Sequence, residues 1–485
     1  MNGLTNGGFA SHLTVVWIAL PFFLGFCSYL LPKLDRAIAL TVSLISLAYS
    51  LLQLLDPATL DLQLLDRFGV MLSIDSLSGF FILTNAVVTI AVVLYCWPSG
   101  KSAFFFTQLI ILHGSVNAVF ICADFISLYV ALEVISIAAF LVIAYPRTNR
   151  SIWVGLRYLF VSNTAMLFYL IGAVLVYQSN HSFAFTGLTQ APPEALALIF
   201  LGLLTKGGIF VSGLWLPLTH SEAETPVSAL LSGVVVKAGV FPLVRCALLL
   251  PDVDPIVRIF GVGTALLGVG YAVFEKDTKR MLAFHTVSQL GFVLAAPEVG
   301  GFYALTHGFV KSALFLGAGN LPSRNFKELK QQKIPTKIWL TLAIASFSIS
   351  GFPLLSGFGA KVLTMKNLLP WQVVGMNLAA LGTAISFAKF IFLPHGKGKV
   401  TVKWGFWVAI AILLGGLFAA NVVYYEAYTL TNTIKPLVTI ALGWLAYWFI
   451  FQKPLLKLPR AIEQFDHLIG VMSLMLTLLF WMVVA

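Results

Sequence analysis

Residues 201–245 read LGLLTKGGIFVSGLWLPLTHSEAETPVSALLSGVVVKAGVFPLVR, which is typical of two apolar helices joined by a short polar turn. Each helix carries one lysine in its interior, Lys206 and Lys237. An ammonium group in hydrocarbon costs at least about 2.5–3.5 kcal/mol on insertion scales, so it is tolerated where it faces protein or water. Two such lysines, one on each helix of a hairpin, predict a charged path inside a membrane domain.

The composition places the rest of the chain in a membrane as well. Of the 485 residues, 59% are hydrophobic and only 10% are charged, whereas soluble domains carry about 25% charged residues. Lipid offers no partner to an unpaired backbone amide, and the apolar runs are longer than the roughly ten residues of a barrel strand. The chain is therefore predicted to be an all-α polytopic membrane protein.

About 16 apolar runs of membrane-spanning length follow one another along the chain. The runs in 201–245 and 337–366 contain glycine and proline, which favours broken helices, so we expect about 14–16 membrane helices. The loops after odd-numbered runs hold most of the Lys and Arg residues, including the basic segment 322–337. Short loops rich in Lys and Arg stay in the cytoplasm, so both termini are predicted to be non-cytoplasmic. This pattern, rather than binding of nucleic acid, accounts for the net charge of +11.

Charged and polar side chains inside the apolar runs are the candidate functional residues. Glu133 lies in mid-span without a basic neighbour in sequence, so a group on another helix is expected to bind it as a functional or a structural partner. His220, in the turn between the two lysine helices, is either a proton-handling residue or a plain turn residue. Lys237 lies about three turns inside its run, too deep to reach the membrane surface.

The second half of the chain holds a comparable set. His285 and Gln289 share one helix face, and His307 and Lys311 share another, because residues four apart are neighbours on a helix. An imidazole titrates near neutral pH and is suited to passing protons, although a membrane histidine also serves as a packing residue. Lys361 follows the glycine-rich stretch SISGFPLLSGFGA, which is typical of an interrupted helix that lines a cavity.

The spacing of these residues indicates an internal duplication. Each of two five-helix units carries a lysine next to glycines in its fourth helix, and an odd number of helices makes consecutive units inverted in the membrane. The predicted division comprises N-terminal helices, a first repeat, a second repeat and C-terminal helices, at residues 1–102, 103–250, 257–394 and 395–485.

No motif for a cofactor, a metal or a nucleotide appears in the sequence. A glycine-rich phosphate loop, a CxxC pair and an HExxH motif are all missing, so any redox chemistry is expected to belong to partner chains. The four cysteines fall in or beside apolar runs and are interpreted as packing residues: Cys27, Cys96, Cys122 and Cys246.

Several long motifs resemble one family. Residues 215–245 resemble the WLPxAHxxAPxPVSALLSG…KxG signature of antiporter-like membrane subunits, which occur in respiratory complex I, Mrp-type cation/proton antiporters and membrane-bound hydrogenases. DTKRMLAFHTVSQLGF (277–292), ALTHGFVKSALFLGAG (304–319) and SGFPLLSGFGAK (350–361) resemble further motifs of the family, in the family's order. The resemblance covers about residues 103–394.

The resemblance implies a proton path, which carries over residue by residue. Glu133 matches the family's fifth-helix glutamate, and Lys206 matches the seventh-helix lysine with which that glutamate forms a switching pair. Lys237 matches the connecting lysine of the eighth helix. The remaining path residues of the family match His307, Lys311 and Lys361.

Three positions depart from the family pattern. His285 stands where tyrosine is usual, and Glu224 replaces the usual Ala-Pro run. Val362 follows Lys361, whereas the distal complex I subunit has an acid there. With no long lateral helix after the last run, the chain looks closer to the D-type subunit of Mrp antiporters, or to NADH dehydrogenase chain 4 paralogues, than to that distal subunit.

Three functions remain open at this point. The leading hypothesis is a proton-translocating subunit of a multisubunit cation/proton antiporter, with other membrane subunits as partners and Na⁺ or K⁺ as the exchanged ion. The second is a proton-pumping subunit of a quinone-reducing complex, driven by electron transfer in other chains. The third is an inactive scaffold that seals a larger complex, which the retained row of buried charges disfavours.

Overall fold

Helices form nearly all of the regular structure of the chain. The computed structural model describes residues 2–65, 69–397, 402–452, 458–460 and 463–484. Within that part, twelve helical stretches are long and apolar enough to cross a membrane. This confirms the prediction of an all-α polytopic membrane protein.

The N-terminal part contains three long helices and a hairpin. Their bounds are α1 (Asn2–Leu30), α2 (Asp35–Leu55), β1 (Leu60–Leu65), β2 (Gly69–Ile74) and α3 (Ser76–Cys96).

The first predicted repeat contains two interrupted helices. Its helices are α4 (Ala103–Val119), α5 (Phe125–Ile143), α6 (Asn149–Asn180), α7 (Pro193–Gly207), α8 (Leu216–Glu222), α9 (Thr225–Leu230) and α10 (Lys237–Leu249). A 3₁₀ segment, Phe210–Trp215, joins α7 to α8, and a π-helical turn, Leu231–Val235, joins α9 to α10. Gly208 ends α7 with φ +70°, a conformation that favours glycine.

The second predicted repeat contains one interrupted helix. Its elements are α11 (Asp254–Phe274), α12 (Thr278–Ala295), α13 (Gly300–Ala318), a short α14 (Phe326–Leu329), β3 (Ile334–Pro335), α15 (Thr336–Ser350), α16 (Ser356–Lys366) and α17 (Val373–Ile391). Gly351 ends α15 with φ +87°, and the chain is unwound up to the start of α16. The predicted breaks in 201–245 and 337–366 are therefore both present. In each predicted repeat, the fourth helix is one of the interrupted helices.

The C-terminal helices pack against the outside of the preceding helices. It contains β4 (His395–Gly396), α18 (Trp404–Val423), α19 (Leu430–Ala446) with a π-helical turn at Tyr447–Phe451, and α20 (Phe465–Val484). Whereas α19 packs against α17, α20 packs against α7 on the other repeat. Before α20, the Glu463 carboxylate accepts two hydrogen bonds from Arg280 of α12, at 2.7 and 2.9 Å.

The most polar helices lie at the centre of the bundle. Every residue of α12 is buried, and α13 is buried along almost its whole length. The peripheral helices instead expose large apolar side chains, such as Val423 (83% exposed) and Phe449 (84%). Lipid-facing helices therefore shield the polar ones, and α4, α12, α13 and α15–α16 complete the set of about 16 predicted spans.

The sequence analysis did not predict the hairpin between α2 and α3. Its strands are antiparallel, with Leu60 opposite Ile74 and Leu62 opposite Leu72. The second strand also bonds to the α4–α5 connection, where Ala123 N donates to Met71 O at 2.8 Å. Residues 66–68, 398–401 and 453–457, which carry part of the loop charge used for the topology prediction, lie outside the described residues.

An ion pair between Asp75 and Arg245 joins the start of α3 to α10. Asp75 caps α3 by accepting from Ser78 N at 2.9 Å, and Arg245 Nη2 donates to its Oδ1 at 2.8 Å. Burial would raise the pKa of Asp75, but the hydrogen bonds and positive charge of Arg245 outweigh burial and lower it. A carboxylate with a lowered pKa in the folded state stabilises the fold above its unfolded pKa, and this contribution is lost as pH falls through its folded pKa.

We therefore expect Asp75→Asn to destabilise the protein by about 2 kcal/mol at pH 7, because Arg245 keeps its burial and loses its charged partner. The difference from the wild type should shrink as the pH is lowered below the usual range of an aspartate. Thermal unfolding in detergent, followed by a thiol-reactive dye that labels the buried cysteines, measures both. Asp252→Asn, at an exposed carboxylate, is the matched control; equal stability of the two variants would contradict the assignment.

Candidate functional site

Lys206 lies in the last turn of α7, where the helix dipole favours a cation. The residue is 4% exposed. Its Nζ donates to Leu132 O at 3.0 Å, to Ser162 Oγ at 2.8 Å and to Ser136 Oγ. Hydroxyl and carbonyl oxygens of α5 and α6 therefore replace water around this ammonium group.

Glu133 and Lys206 are neighbours without a direct ion pair. Glu133 is half-buried on α5, beside Leu132, whose carbonyl binds the lysine. Its Oε1 has no hydrogen-bond partner among the described residues. Its side chain lines a cavity of about 740 Å³, together with Asn163 of α6 and Phe465 of α20. The two groups thus occupy a separated arrangement, in which serines bind the lysine and the carboxylate faces a cavity.

Lys237 begins α10, directly after the π-helical turn. It is fully buried, and its Nζ donates to Gly233 O at 2.5 Å. A π-helical turn shifts the backbone hydrogen bonds by one residue, which leaves carbonyls available to the lysine. A methyl group added to Gly308 would lie 3.6 Å from the Lys237 Nζ, so the lysine borders α13.

Helix α13 supplies the next two groups of the row. Lys311 Nζ donates to Leu282 O of α12 at 2.5 Å and lies 5.3 Å from the centroid of the Phe315 ring. His307 is buried, and neither ring nitrogen has a hydrogen-bond partner within the described part of the chain. Its ring lines a cavity of about 10 Å³, close to the volume that one water molecule requires.

Lys361 lies on α16, a helix that forms part of the wall of this small cavity. It is 5% exposed on α16, and Ala360, the preceding residue, lines the cavity with His307. Its Nζ lies 5.5 Å from the centroid of the Phe292 ring and has no hydrogen-bond acceptor among the residues that the structure describes. The cavity thus borders both helix segments at the break, and Lys361 lies on the second of them.

The three accessory candidates occupy different positions relative to the row. His220 is fully buried and stacks on Phe315 with ring centroids 5.3 Å apart, so one ring contacts both His220 and Lys311. Gln289 lines the small cavity and accepts from Tyr303 Oη at 2.6 Å. His285 is buried with its ring at the Phe387 ring, at a centroid distance of 4.5 Å.

A vestibule lies beside α8 on the basic-loop side. It has a volume of about 430 Å³ and is lined by Ser221 and Glu222 of α8 and by Arg280 of α12. Glu222 pairs with Arg150 at 3.3 Å, and the neighbouring Glu224 pairs with Lys101. The departure from the family pattern at Glu224 therefore forms part of a charged surface beside His220.

The sequence analysis missed two sets of polar residues. Ser136 and Ser162, the Lys206 acceptors, follow no motif, although hydroxyls in otherwise apolar helices are a weak signal. A second network surrounds His113 of α4, whose Nε2 lies 2.9 Å from Ser46 Oγ and whose Nδ1 lies 3.2 Å from Thr89 Oγ1. Because both ring nitrogens have partners, this network acts as a polar brace of the N-terminal helices.

The described residues contain no group of three or more His, Cys, Asp or Glu side chains that could hold a metal ion. The structure instead brings together a row of buried cations, most of them on interrupted helices. The row runs from α7 through α10 and α13 to α16, in the order Lys206, Lys237, Lys311 with His307, and Lys361.

Comparisons with known proteins find similar chains. A family model described as NADH:quinone oxidoreductase/Mrp antiporter, TM, matches residues 122–386. The D-type subunit of the Na(+)/H(+) antiporter of Alkalihalophilus pseudofirmus is 26% identical over 422 residues, which cover 77% of this chain and 85% of the relative. The N-type subunit of the NADH-quinone oxidoreductase of Desulforudis audaxviator is 28% identical over 441 residues, which cover 80% and 87%.

A solved structure shares the fold. A chain of the Mrp complex from Dietzia sp. DQ12-45-1b superposes with a TM-score of 0.73 at 19% sequence identity, covering 95% of this chain and 99% of that chain. The arrangement of membrane helices is therefore one that a known multisubunit membrane complex contains.

The glycine at the break before Lys361 provides a test of the site's geometry. Gly351 has φ +87°, and an added Cβ would lie 3.0 Å from Lys361 Cδ, so Gly351→Ala should strain the backbone and displace the lysine. We expect it to destabilise the protein by about 2–4 kcal/mol. The control is Gly100→Ala, with a similar φ of +75° and nothing within 4 Å of the added Cβ; it should cost only about 1 kcal/mol. Thermal unfolding measures both, and equal losses would contradict the packing argument.

Proposed function

This chain belongs to the NADH:quinone oxidoreductase/Mrp antiporter family of membrane subunits, and from that premise we propose that its row of buried side chains moves protons within a multisubunit complex. The observation that carries the proposal is the row itself, four buried lysines of which three lie on interrupted helices. Buried ionisable groups are expensive in a membrane and mark ion pathways. Other membrane subunits of the complex are its partners.

We propose that each five-helix unit, residues 103–250 and 257–394, provides one half of the path. Protons reach the centre of the membrane at Lys237 and pass along α13 through Lys311 and His307. They leave by way of Lys361 on α16, a helix whose Ala360 lines the small cavity together with His307.

We assign to His220 the entry of protons into the row from the basic-loop side of the membrane. The next residue, Ser221, lines the charged vestibule, and the His220 ring stacks on Phe315, whose ring also faces Lys311. An imidazole can accept a proton on one nitrogen and release one from the other, and both nitrogens of His220 lack partners in the described residues. The turn between the two lysine helices thus becomes a point of proton exchange.

The separated arrangement of Glu133 and Lys206 is assigned to one state of a two-state switch. In this state Ser136, Ser162 and Leu132 O hold the lysine. In the other state the Glu133 carboxylate binds Lys206 directly and stabilises its charge. An event in a partner subunit that favours one state changes the proton affinity of Lys206. Ion exchange requires a coupling of this kind.

Two driving reactions fit the same path. Exchange of Na⁺ or K⁺ for protons is favoured by the relative from the Na(+)/H(+) antiporter and by the likeness to a chain of the Mrp complex. Proton pumping in a quinone-reducing complex is the second candidate, supported by the relative from the NADH-quinone oxidoreductase. In that case the redox centres lie in partner chains, since no cofactor is assigned to this one.

The path predicts the effect of substitutions on transport. In the purified complex, sealed in vesicles with a pH-sensitive dye, Glu133→Gln or Lys206→Ala should slow proton movement at least about tenfold, because the switch loses one charge. Lys366→Ala, at an exposed lysine five residues beyond Lys361, is the matched control and should leave the rate unchanged. A folded Glu133→Gln complex with the wild-type rate would refute the switch.

The same vesicles separate the two driving reactions. Collapse of an imposed proton gradient on addition of Na⁺ or K⁺, abolished by Lys206→Ala, identifies a cation/proton antiporter. Gradient formation on addition of NADH or reduced ferredoxin with quinone, and no response to cations, identifies a redox-driven pump.

We also propose that both termini lie on the non-cytoplasmic side, from the charge of the loops. A reporter enzyme that is active only outside the cytoplasm should be active when fused after residue 485. The same reporter inserted in the basic segment 322–337 should be inactive. The opposite result at both positions would show that the chain has the inverse topology.

A further inference from the structure

A groove with basic and aromatic walls lies where α11, α17 and α19 end on the basic-loop side of the membrane. Its volume is about 470 Å³. Lys276, Lys327 and Lys330 are exposed along its rim, and Lys389 is buried at its back. We call this the lysine–aromatic groove, because the side chains of Phe274, Phe326, Tyr447 and Phe451 line the remaining wall.

The groove has more positive charge than its own carboxylates neutralise. Glu275 is the acid among its described lining residues, and Arg280 and Arg460 already bind it at 3.1 and 3.4 Å. Burial would raise the pKa of Glu275, but the charge of Arg280 and the backbone N–H groups around it lower it. Lys389 donates to the carbonyl oxygens of Ala272 and Glu275, at 3.0 and 2.8 Å, rather than to a carboxylate.

The rim lysines likewise have no carboxylate partner among the described residues. Lys330 instead lies 5.4 Å from the centroid of the Tyr447 ring, a cation–π contact that holds it over the groove. Glu328, the nearby acid in sequence, accepts a hydrogen bond from Ser323. Three exposed rim lysines and the buried Lys389 therefore face one opening, and a bound anion would neutralise their charge.

The groove opens next to a surface that faces lipid. The π-helical turn at the end of α19 carries Phe449 and Ile450, which are 84% and 52% exposed, while Tyr447 of the same turn lines the groove. Basic loops lie at the cytoplasmic face of the bilayer. The groove therefore lies at the depth of the phospholipid headgroups. A cationic rim above an apolar face matches a ligand with an anionic head and hydrocarbon tails.

We propose that the lysine–aromatic groove binds an anionic phospholipid, with its phosphate among Lys276, Lys327 and Lys330 and its acyl chains along α19. A free phosphate ion would use the lysines but gain nothing from the aromatic wall and the exposed apolar turn. The site is distinct from the proton row and stands independently of the proposed transport function.

Lipid retention by the purified complex tests this proposal. The complex in mild detergent is titrated with phosphatidylglycerol or phosphatidylcholine, and bound lipid is counted by native mass spectrometry. Phosphatidylglycerol should bind tightly and phosphatidylcholine weakly. Replacing Lys327 and Lys330 together by glutamine should weaken phosphatidylglycerol binding roughly 30-fold, since each surface lysine contributes a factor of about five.

Controls distinguish the groove from a general effect of charge. The double variant Lys333→Gln/Lys337→Gln removes the same charge from exposed positions of the same segment outside the groove, and should bind lipid as the wild type does. If the first double variant fails to fold, the single exposed change Lys276→Gln should still weaken binding about fivefold. Equal binding by both double variants would overturn the proposal, as would complete displacement of the lipid by millimolar inorganic phosphate.

Discussion

A lysine ammonium that leaves water needs oxygen atoms to replace it, and much of the architecture of this chain meets that requirement. An unbroken helix uses its carbonyls in its own hydrogen bonds. Lys206 therefore draws on hydroxyls of two neighbouring helices, and Lys237 draws on carbonyls next to a π-helical turn. The π-helical turn before Lys237 and the serines beside Lys206 thus both supply oxygen atoms that replace water around a buried cation.

The two halves of the row solvate their cations differently. Lys206 has three oxygen acceptors. Lys361 lies over the Phe292 ring with no acceptor among the described residues, and Lys311 combines one carbonyl with the Phe315 ring. An aromatic face attracts a cation without accepting a conventional hydrogen bond from it. The two ends of the row thus differ in what replaces water around the ammonium group, which is oxygen acceptors at Lys206 and an aromatic ring at Lys361.

The sequence predicts what depends on local chemistry. Apolar runs of membrane length locate the helices, and the glycines at 208 and 351 locate the breaks, because both adopt a positive φ that other residues avoid. The contacts between helices depend on packing that no local pattern encodes. Only the folded structure shows that Ser136 and Ser162 bind Lys206 and that Lys206 is separated from Glu133. The hairpin before α3 was missed because its strands are short and lie between long apolar runs that dominate the pattern.

The path of the last helix has a consequence for biosynthesis. α20 packs against α7, and its first residue, Phe465, forms part of the wall of the cavity beside Glu133. During synthesis α7 enters the bilayer more than 250 residues before α20. Until α20 has been synthesised, this side of α7 borders lipid or an assembly factor instead of its final neighbour. The wall of the cavity beside Glu133 is thus completed only after α20 has entered the bilayer, and a polypeptide terminated before α20 lacks that part of the wall.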